Sequence, residues 1–292
     1  MPNHPTTALI GLGRMGSAMA GTLHRAGFPL VVFNRSPAAA QDVAGSTGAA
    51  VATTARQATE DADIVITSLA DDAAVFDVFR GPDGIIAGLS GRTIVLETST
   101  IDPETTKRLA PEVADAGGVL MDAPVSGSVS LVEAGQLTFM VGGPEEALQR
   151  ASPALEALGA NIFHLGPVGT GHTMKLAVNA LVHAINTAVS ESLVLAEKAG
   201  VDRSAAYQVF MSGAGGAPFV QYKQAAYLDP DRSPVAFSLD LVAKDLQLIL
   251  ALAERVGAPM VQGKANQQVT AAAIEAGLGP ADMSAIAVHL RS

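Results

Sequence analysis

The first half of the chain alternates short β-branched apolar runs with alanine-rich segments of helical period. The apolar runs are predicted to be buried strands at 7–13, 30–34, 62–70, 92–100 and 118–127, with further strands at 136–143 and 161–166. Helical segments are predicted between them at 14–27, 37–48, 71–81, 102–118 and 144–159. This alternation predicts a parallel sheet with helices on both faces.

After residue 165 the pattern is helical only, at 169–189, 201–213, 239–257 and 261–277. The pattern therefore predicts two domains. An α/β parallel-sheet domain occupies 1–165, and an all-α domain occupies 166–292 and begins with a long interdomain helix.

Three glycines follow the first predicted strand and open the first helix. Gly11, Gly13 and Gly16 form G-x-G-x-x-G. This spacing suits a tight turn, close approach of the backbone to a pyrophosphate, and a helix N-terminus that holds its charge. An ordinary strand–helix turn is the alternative. We favour a Rossmann-type dinucleotide-binding domain, with contacts from the loop residues Gly11, Leu12, Gly13, Arg14, Met15 and Gly16.

The end of the second strand carries Asn34, Arg35 and Ser36 and has no acidic residue there. NAD sites usually place an Asp or Glu at this point to bind the ribose hydroxyls. A guanidinium beside a hydroxyl suits a 2′-phosphate instead, because arginine binds phosphate through a fork of donors. The segment favours NADP over NAD, and a solvated surface arginine is the other interpretation.

The apolar helix after Gly169 carries polar residues on a narrow sector, which contains Lys175, Asn179 and Asn186. A lysine on such a helix either extends into water or has partners. Two readings stay open from this segment alone. The side chains are incidental, or they form a polar stripe where an ammonium transfers a proton.

The composition indicates a globular protein and argues against nucleic-acid, metal and membrane binding. The chain of 292 residues is 49% hydrophobic and 16% charged, which is typical of a globular protein. Its net charge of −10 argues against nucleic-acid binding. It has no cysteine, and its six histidines lack metal-ligand spacing, so we expect no metal. The start MPNHPTT has no signal-peptide pattern, and no apolar stretch reaches membrane-spanning length, so we expect a cytoplasmic protein that does not bind membranes.

Four motifs in order make the chain resemble the β-hydroxyacid dehydrogenase family from end to end. They are GLGRMGSAMA (11–20), DAPVSGS (122–128) with GQLTFMVGG (135–143), GPVGTGHTMKLAVN (166–179) and KDLQLIL (244–250). The resemblance implies a nicotinamide-dependent oxidoreductase of small hydroxy acids and semialdehydes. It also implies a homodimer, or a homotetramer built from dimers. The apolar surface of the helices after residue 165 points the same way.

The resemblance also implies roles for single residues. Lys175 matches a catalytic lysine, and Asn179 an asparagine that orients substrate and lysine. Ser126, Gly127 and Ser128 match a loop that binds the substrate carboxylate. Leu69, Ala70 and Thr100 match cofactor-side loops, and Lys244 a lysine beside the cofactor. The family usually has glycine where Ser128 stands and Met/Leu-Pro where SLA stands at 68–70, which leaves the substrate open.

The sequence thus predicts an NADP-dependent 3-hydroxyacid dehydrogenase or semialdehyde reductase that acts on a small carboxylate-bearing substrate. Lys175 would be its general acid and base, since an ammonium can stabilise a developing alkoxide and donate the proton. Two alternatives remain. One is an imine-reductase-like enzyme of the same fold, although such enzymes typically carry Asp or Tyr in place of Lys175. The other is a catalytically silent NADP-binding scaffold. His172, His183 and Glu191 are interpreted as structural.

Overall fold

The chain forms two compact units in a computed structural model that describes residues 4–292. Residues 1–3, which begin the MPNHPTT segment and the predicted domain 1–165, lie outside the described residues. The first unit extends to Lys175 and the second is Leu176–Ser292. One helix, Thr170–Lys198, contributes residues to both units.

A parallel six-stranded sheet forms the centre of the described part of the first unit, in the order β3-β2-β1-β4-β5-β6. Its strands are Thr7–Ile10 (β1), Leu30–Phe33 (β2), Ala50–Val51 (β3), Ile64–Thr67 (β4), Ile94–Glu97 (β5) and Val119–Asp122 (β6). Every residue of β1, β4 and β5 is buried, as expected for strands with helices on both faces.

Helices connect and cover these strands. They are Arg14–Arg25 (α1), Pro37–Thr47 (α2), Ala55–Thr59 (α3), Asp72–Phe79 (α4), Ile85–Gly88 (α5), Pro103–Asp115 (α6), Val129–Glu133 (α7) and Glu145–Leu158 (α8). Apolar clusters lie on the two faces of the sheet, one around Leu9, Met19 and Leu23 and the other around Val65, Phe79 and Val95. The predicted Rossmann-type α/β domain is therefore confirmed.

The strand register brings the functional loops to one edge of the sheet. Ile10 pairs with Phe33 on one side and with Thr67 on the other, and Thr67 pairs with Glu97, which pairs with Asp122. These five residues end their strands, so the loops that follow leave the same edge. Strand order reverses between β1 and β4, which is where ligands bind in sheets of this kind.

The strands predicted at 136–143 and 161–166 do not extend the main sheet. Leu137–Val141 (β8) pairs in parallel with Gly159–His164 (β9) and antiparallel with Val125–Ser126 (β7). They form a separate three-stranded sheet. The chain leaves the main sheet after β6 through the irregular residues Ala123–Pro124, and β7 then pairs with β8.

The second unit contains helices throughout the described part, which confirms the predicted helix-rich C-terminal part. After the long helix Thr170–Lys198 (α9) come Arg203–Ser212 (α10), Pro218–Tyr222 (α11), Gln224–Leu228 (α12), Leu239–Val256 (α13), Val261–Ala273 (α14), a π-helical turn Ile274–Leu278, a 3₁₀ turn Met283–Ala285 and Ile286–Arg291 (α15). Its core gathers large side chains such as Tyr207, Tyr227 and Leu246.

Helix α9 is long and apolar enough to cross a membrane by length and composition, but the core helix of a soluble protein meets the same criteria. In its most apolar window 44% of the residues are already buried in this structure. The prediction that the protein does not bind membranes stays a prediction.

Candidate functional site

The glycine loop has the geometry that a dinucleotide requires. Gly11 has φ +92°, and a Cβ there would collide with the carbonyl oxygen of Ser68. A Cβ at Gly16 would collide with the carbonyl oxygen of Gly11, so helix α1 packs directly on the turn. At Gly13, by contrast, a Cβ would have no heavy atom of the described residues within 4 Å. The loop is therefore tight at its two ends and open in the middle, which fits a pyrophosphate at the start of α1.

Asn34 links the glycine loop to the next helix. Its Oδ1 accepts a 2.9 Å hydrogen bond from the backbone N–H of Leu12, and its Nδ2 donates to the carbonyl of Ser36 at 3.1 Å. The amide therefore shapes the loop. Arg35 and Ser36 are exposed beside it, and Ser36 precedes the first turn of α2, where backbone N–H groups favour an anion.

A buried carboxyl group holds the next two loops together. Glu97 ends β5, and its Oε1 accepts the N–H of Ser99 at 2.7 Å while its Oε2 accepts the Thr67 hydroxyl at 2.5 Å. The Ser99 hydroxyl in turn accepts the N–H of Leu69 at 2.8 Å. Burial raises the pKa of Glu97 to about 7, although hydrogen bonds from Ser99 and Thr67 oppose the rise.

His172 contacts the loop that contains Ser99, and its ring is uncharged. Burial lowers the pKa of His172 to about 3. Its Nε2 lies 3.1 Å from the Ser99 carbonyl oxygen, which can only accept, so the proton belongs on Nε2. Nδ1 lies 3.2 Å from the Thr106 hydroxyl. Although Nδ1 is also 3.7 Å from Asp122, a neutral ring forms no ion pair. Thr100 follows directly and is half-buried. The interpretation of His172 as structural agrees with these contacts.

Asp122 anchors the start of helix α9. It ends β6 and is fully buried, and its two oxygens accept the N–H groups of Gly169 and His172, each at 2.8 Å. Burial raises the pKa of Asp122, and these backbone hydrogen bonds oppose the rise. A side chain on Gly171 would collide with the carbonyl oxygen of Met140. Gly171, in the first turn of α9, thus allows the helix to begin against the strand ends.

The predicted carboxylate loop runs from β7 into α7. Ser126 is half-buried, and Gly127 has φ +144°, a conformation that favours glycine. A Cβ on Gly127 would lie 2.8 Å from Leu137. The Ser128 hydroxyl lies 2.8 Å from the Ser130 hydroxyl. The loop therefore presents a serine, a glycine backbone and a hydroxyl pair at the surface of the first unit.

In the second unit, Asn179 belongs to a buried polar cluster. Its Nδ2 donates to Oδ2 of Asp245 at 2.6 Å, and both side chains are buried. Lys244 Nζ lies 3.2 Å from Asp245 Oδ1. Lys175, which is half-buried, lies on the same helix one turn before Asn179. The structure therefore places two of the predicted residues, Asn179 and Lys244, around one carboxylate.

Asn186, the last residue of the polar stripe on α9, makes contacts within the second unit. Asn186 Nδ2 donates to the Met283 carbonyl at 2.9 Å, and its Oδ1 accepts the Tyr227 hydroxyl at 2.7 Å. Asn186 therefore holds the helices of the second unit together. Asn179 and Asn186 thus have different hydrogen-bond partners, and the prediction that this helix face serves proton transfer stays a prediction.

Sequence reasoning missed three acids that organise these loops. Asp122 stands in the quoted motif DAPVSGS and Asp245 follows Lys244 in KDLQLIL, yet only their neighbours were singled out. Glu97 begins ETST at the end of a predicted strand. For Glu97 and Asp122 the available signal was an acidic residue at the end of an apolar run, where burial makes an unpaired charge costly. Asp245 lies inside α13 and offered no such signal.

Two family models cover nearly the whole chain. The NAD binding domain of 6-phosphogluconate dehydrogenase matches residues 6–166, and the NAD-binding domain of NADP-dependent 3-hydroxyisobutyrate dehydrogenase matches residues 169–290. A 3-hydroxyisobutyrate dehydrogenase of Pseudomonas aeruginosa is 37% identical over 86% of this chain and 86% of its own length. An NAD-dependent L-serine dehydrogenase of the same species is 33% identical over 96% of this chain and 95% of its own length.

Solved structures agree with these relatives. The 3-hydroxyisobutyrate dehydrogenase of Mycobacterium tuberculosis with L-serine superposes with a TM-score of 0.87 at 31% identity, over 99% of this chain and 100% of that one. An imine reductase from Pseudomonas sp. has a TM-score of 0.66 at 24% identity, over 99% of this chain and 100% of that one. The second likeness concerns the fold alone.

Proposed function

Because the chain belongs to the β-hydroxyacid dehydrogenase family and is a nicotinamide-dependent oxidoreductase of hydroxy acids or semialdehydes, we propose that it is an NADP-dependent 3-hydroxyacid dehydrogenase or semialdehyde reductase. The observation that carries the proposal is the polar series on α9. Lys175 lies on this helix. Asn179 follows one turn later, and its Nδ2 donates a hydrogen bond to Asp245 at 2.6 Å.

Lys175 is the general acid and base of the proposed reaction. A bound nicotinamide would supply the hydride for reduction and accept it in oxidation. As charge develops on the carbonyl oxygen during reduction, the Lys175 ammonium stabilises it and donates the proton that forms the hydroxyl. During oxidation the neutral amine takes that proton back. Asn179 orients the reacting groups, and Ser126, Gly127 and Ser128 bind the substrate carboxylate through N–H and O–H donors.

The cofactor is NADP in this proposal. The Asn34 amide is engaged with Leu12 and Ser36, whereas the exposed guanidinium of Arg35 and the hydroxyl of Ser36 remain beside the start of α2. That combination suits a 2′-phosphate, and no carboxylate at this point repels it. NAD is the competing cofactor, because the similar L-serine dehydrogenase of Pseudomonas aeruginosa is named as NAD-dependent. Leu69, Ala70, Thr100 and Lys244 complete the proposed cofactor contacts.

Lys175 also separates this proposal from its rivals. Imine reductases of this fold typically carry another residue there, and a silent scaffold has no need of a lysine one turn before an oriented asparagine. The partner of the enzyme is a small carboxylate substrate, and we propose that it assembles as a homodimer or a homotetramer of dimers.

A turnover panel tests the proposal. The enzyme is assayed with C2–C4 semialdehyde acids under reduction and with the hydroxy acids that their reduction yields under oxidation, each with both NADP(H) and NAD(H). We expect steady turnover of at least one acid and a higher kcat/KM with NADPH. Cyclic imines and uncharged aldehydes serve as controls. Turnover confined to imines supports the imine reductase, and cofactor binding without turnover supports the scaffold.

A further inference from the structure

Ser99 joins three elements of the first unit through its polar groups. Its N–H donates to Glu97 Oε1 at 2.7 Å, and its carbonyl oxygen lies 3.1 Å from Nε2 of the neutral His172. Its hydroxyl oxygen accepts the N–H of Leu69 at 2.8 Å. Ser99 is 4% exposed. It therefore links the end of β5 to the loop after β4 and to the start of α9.

The Ser99 hydroxyl connects Leu69 to the buried carboxyl group of Glu97. Burial raises the pKa of Glu97, and the hydrogen bond from the Ser99 side chain is the largest contribution that lowers it. A hydroxyl has one proton, so it donates to Glu97 while it accepts from Leu69. Hydrogen bonds in such a series strengthen one another in a protein interior. The carboxyl group therefore acts on the backbone of Leu69 through Ser99.

The loop at 68–70 follows β4 at the edge of the sheet where the strand order reverses. At its beginning, the N–H of Ser68 donates to the last residue of β1 at 2.9 Å, and a Cβ on Gly11 would collide with the Ser68 carbonyl oxygen. After its end, Asp72 Oδ1 accepts the N–H of the residue before α6 at 3.0 Å. The hydrogen bond on Leu69 therefore holds the loop between two fixed ends.

The sequence of this loop gives it little rigidity of its own. A proline at position 70, which is usual in the family, would restrict the backbone before any contact forms. This chain has Ala70 there, which imposes no such restriction. The conformation of the loop therefore depends on its hydrogen bonds.

We propose that Glu97 is a positioning residue for the cofactor, which acts through the Ser99 hydroxyl to hold the loop at 68–70 in the conformation that binds the dinucleotide. This inference rests on the proposed function, in which Leu69 and Ala70 contact the cofactor. Both positioning side chains are buried, so they act through the loop and not by contact. The effect therefore falls on cofactor affinity and not on the proton-transfer step.

Two variants in the same turn separate positioning from stability. Ser99→Ala removes the hydroxyl that connects Leu69 to Glu97. Thr98→Val is the matched control, because the Thr98 hydroxyl is also buried and donates to the Thr67 carbonyl oxygen at 2.6 Å, away from Leu69. Both variants should lower the Tm of the cofactor-free protein, since each loses a buried hydrogen bond.

Fluorescence titration with NADPH and with NADH measures Kd without turnover. For the cofactor that the wild type binds more tightly, Ser99→Ala should raise Kd about fivefold or more, the usual effect of one hydrogen bond. Thr98→Val should leave Kd near that of the wild type. At saturating cofactor, kcat of Ser99→Ala should change less than its Kd. An unchanged Kd in Ser99→Ala, or an equal rise in both variants, overturns the inference.

Substitutions of Glu97 test whether the effect begins at the carboxyl group. Glu97→Gln keeps an oxygen that accepts the Ser99 N–H and an amide that donates to the Thr67 hydroxyl, so Kd should stay near that of the wild type. Glu97→Leu has no acceptor and should raise Kd as Ser99→Ala does. The two substitutions together should raise Kd little more than either alone, because both interrupt one series of hydrogen bonds. Effects that multiply in the double variant overturn the role of Glu97.

The outcomes distinguish this inference from the function on which it rests. A wild-type protein that binds neither cofactor overturns the proposed function, and the inference falls with it. Cofactor binding without turnover of any hydroxy acid overturns the dehydrogenase alone, and the titrations still decide the role of Glu97. If Glu97→Leu does not fold, Glu97→Asp takes its place, since its shorter carboxylate cannot reach both Ser99 and Thr67 and should raise Kd more than Glu97→Gln does.

Discussion

Asn179 donates a 2.6 Å hydrogen bond to Asp245, and both side chains are buried in the second unit. Since a carboxylate only accepts, the bond sets which end of the amide faces Asp245. The orientation of Asn179 is therefore determined by a residue on another helix, α13.

Replacing Asp245 with Asn should remove that control. An amide in place of the carboxylate can present either end to Asn179, and the contact with Lys244 at 3.2 Å loses its charge. We expect kcat to fall by about tenfold to a hundredfold, a larger change than that in KM for the substrate. Steady-state kinetics measure this split. Glu254→Gln, an exposed position on the same helix, is the control. Equal kinetics in Asp245→Asn and wild type would contradict the positioning role.

The proton-transfer role of Lys175 has a direct test. Lys175→Ala should lower kcat by about two orders of magnitude or more, the usual scale for a general acid, because water must replace the ammonium. Cofactor affinity, measured by fluorescence titration, should stay near that of the wild type. Lys198→Ala, at the exposed end of the same helix, is the matched control. Retention of most of the wild-type kcat would refute the assignment.

Glu97 makes stability depend on pH in a defined direction. Its folded pKa of about 7 exceeds the ordinary value of 4.5, so the folded state binds more protons between these values. Stability due to this group therefore falls as pH rises through that window, by about 3 kcal/mol for a shift of this size. Glu97→Gln abolishes the slope, so its stability relative to wild type should rise from pH 4.5 to pH 8.

Urea unfolding at pH 4.5, 6 and 8 measures the Glu97 effect. Glu156→Gln, at an exposed position, is the control and should leave the pH dependence unchanged. A constant difference between Glu97→Gln and wild type at all three values would show that burial does not perturb this carboxyl group.

The fold followed from the sequence where the pattern was periodic. Predicted strands at 7–13 and 92–100 contain β1 and β5, because runs buried on both faces are continuously apolar. The two-residue strand Ala50–Val51 and helices of four or five residues, such as Ile85–Gly88, were missed. Segments so short contain little more than one period of a strand or helix pattern, so no repeat is visible in the sequence and tertiary contacts decide their conformation.

The sequence indicated which residues belong to the candidate site, but it did not indicate which of them contact one another. The spacing of Gly11, Gly13 and Gly16 predicts a tight turn that packs against the start of a helix. The close approach of Gly16 to Gly11 agrees with this prediction. The pairing of Asn179 with Asp245 joins residues 66 positions apart, and one sequence contains no signal for such a contact. The domain limits 1–165 and 166–292 and the site roles themselves stay predictions.

Cofactor preference depends on Arg35 in our proposal. Arg35→Ala should weaken NADPH binding by about tenfold or more with little effect on NADH, because only the 2′-phosphate needs the guanidinium. The measurement is kcat/KM for both cofactors. Arg232→Ala, an exposed arginine of the second unit, controls for loss of positive charge. A wild-type enzyme that already prefers NADH would contradict the interpretation of Asn34, Arg35 and Ser36.

The oligomeric state depends on an apolar stripe along α9. Met174, Leu181, Ala188 and Leu195 recur at intervals of seven residues and are all exposed in the single chain. Leu181 is 63% and Leu195 73% exposed, which is unusual for large apolar side chains on one helix face. A seven-residue apolar repeat is the pattern by which one helix packs along another.

We therefore expect two copies of the chain to associate with α9 in the interface. Light scattering at micromolar concentration should give at least twice the monomer mass of 29.6 kDa. Leu181→Glu with Leu195→Glu should shift the protein towards monomer, since each charge would have to be desolvated in the interface. Phe163→Glu, at an exposed apolar position of the first unit, should leave the mass unchanged. A fully active wild-type monomer would contradict the assembly, and a dimer that survives both glutamates would place its interface away from this stripe.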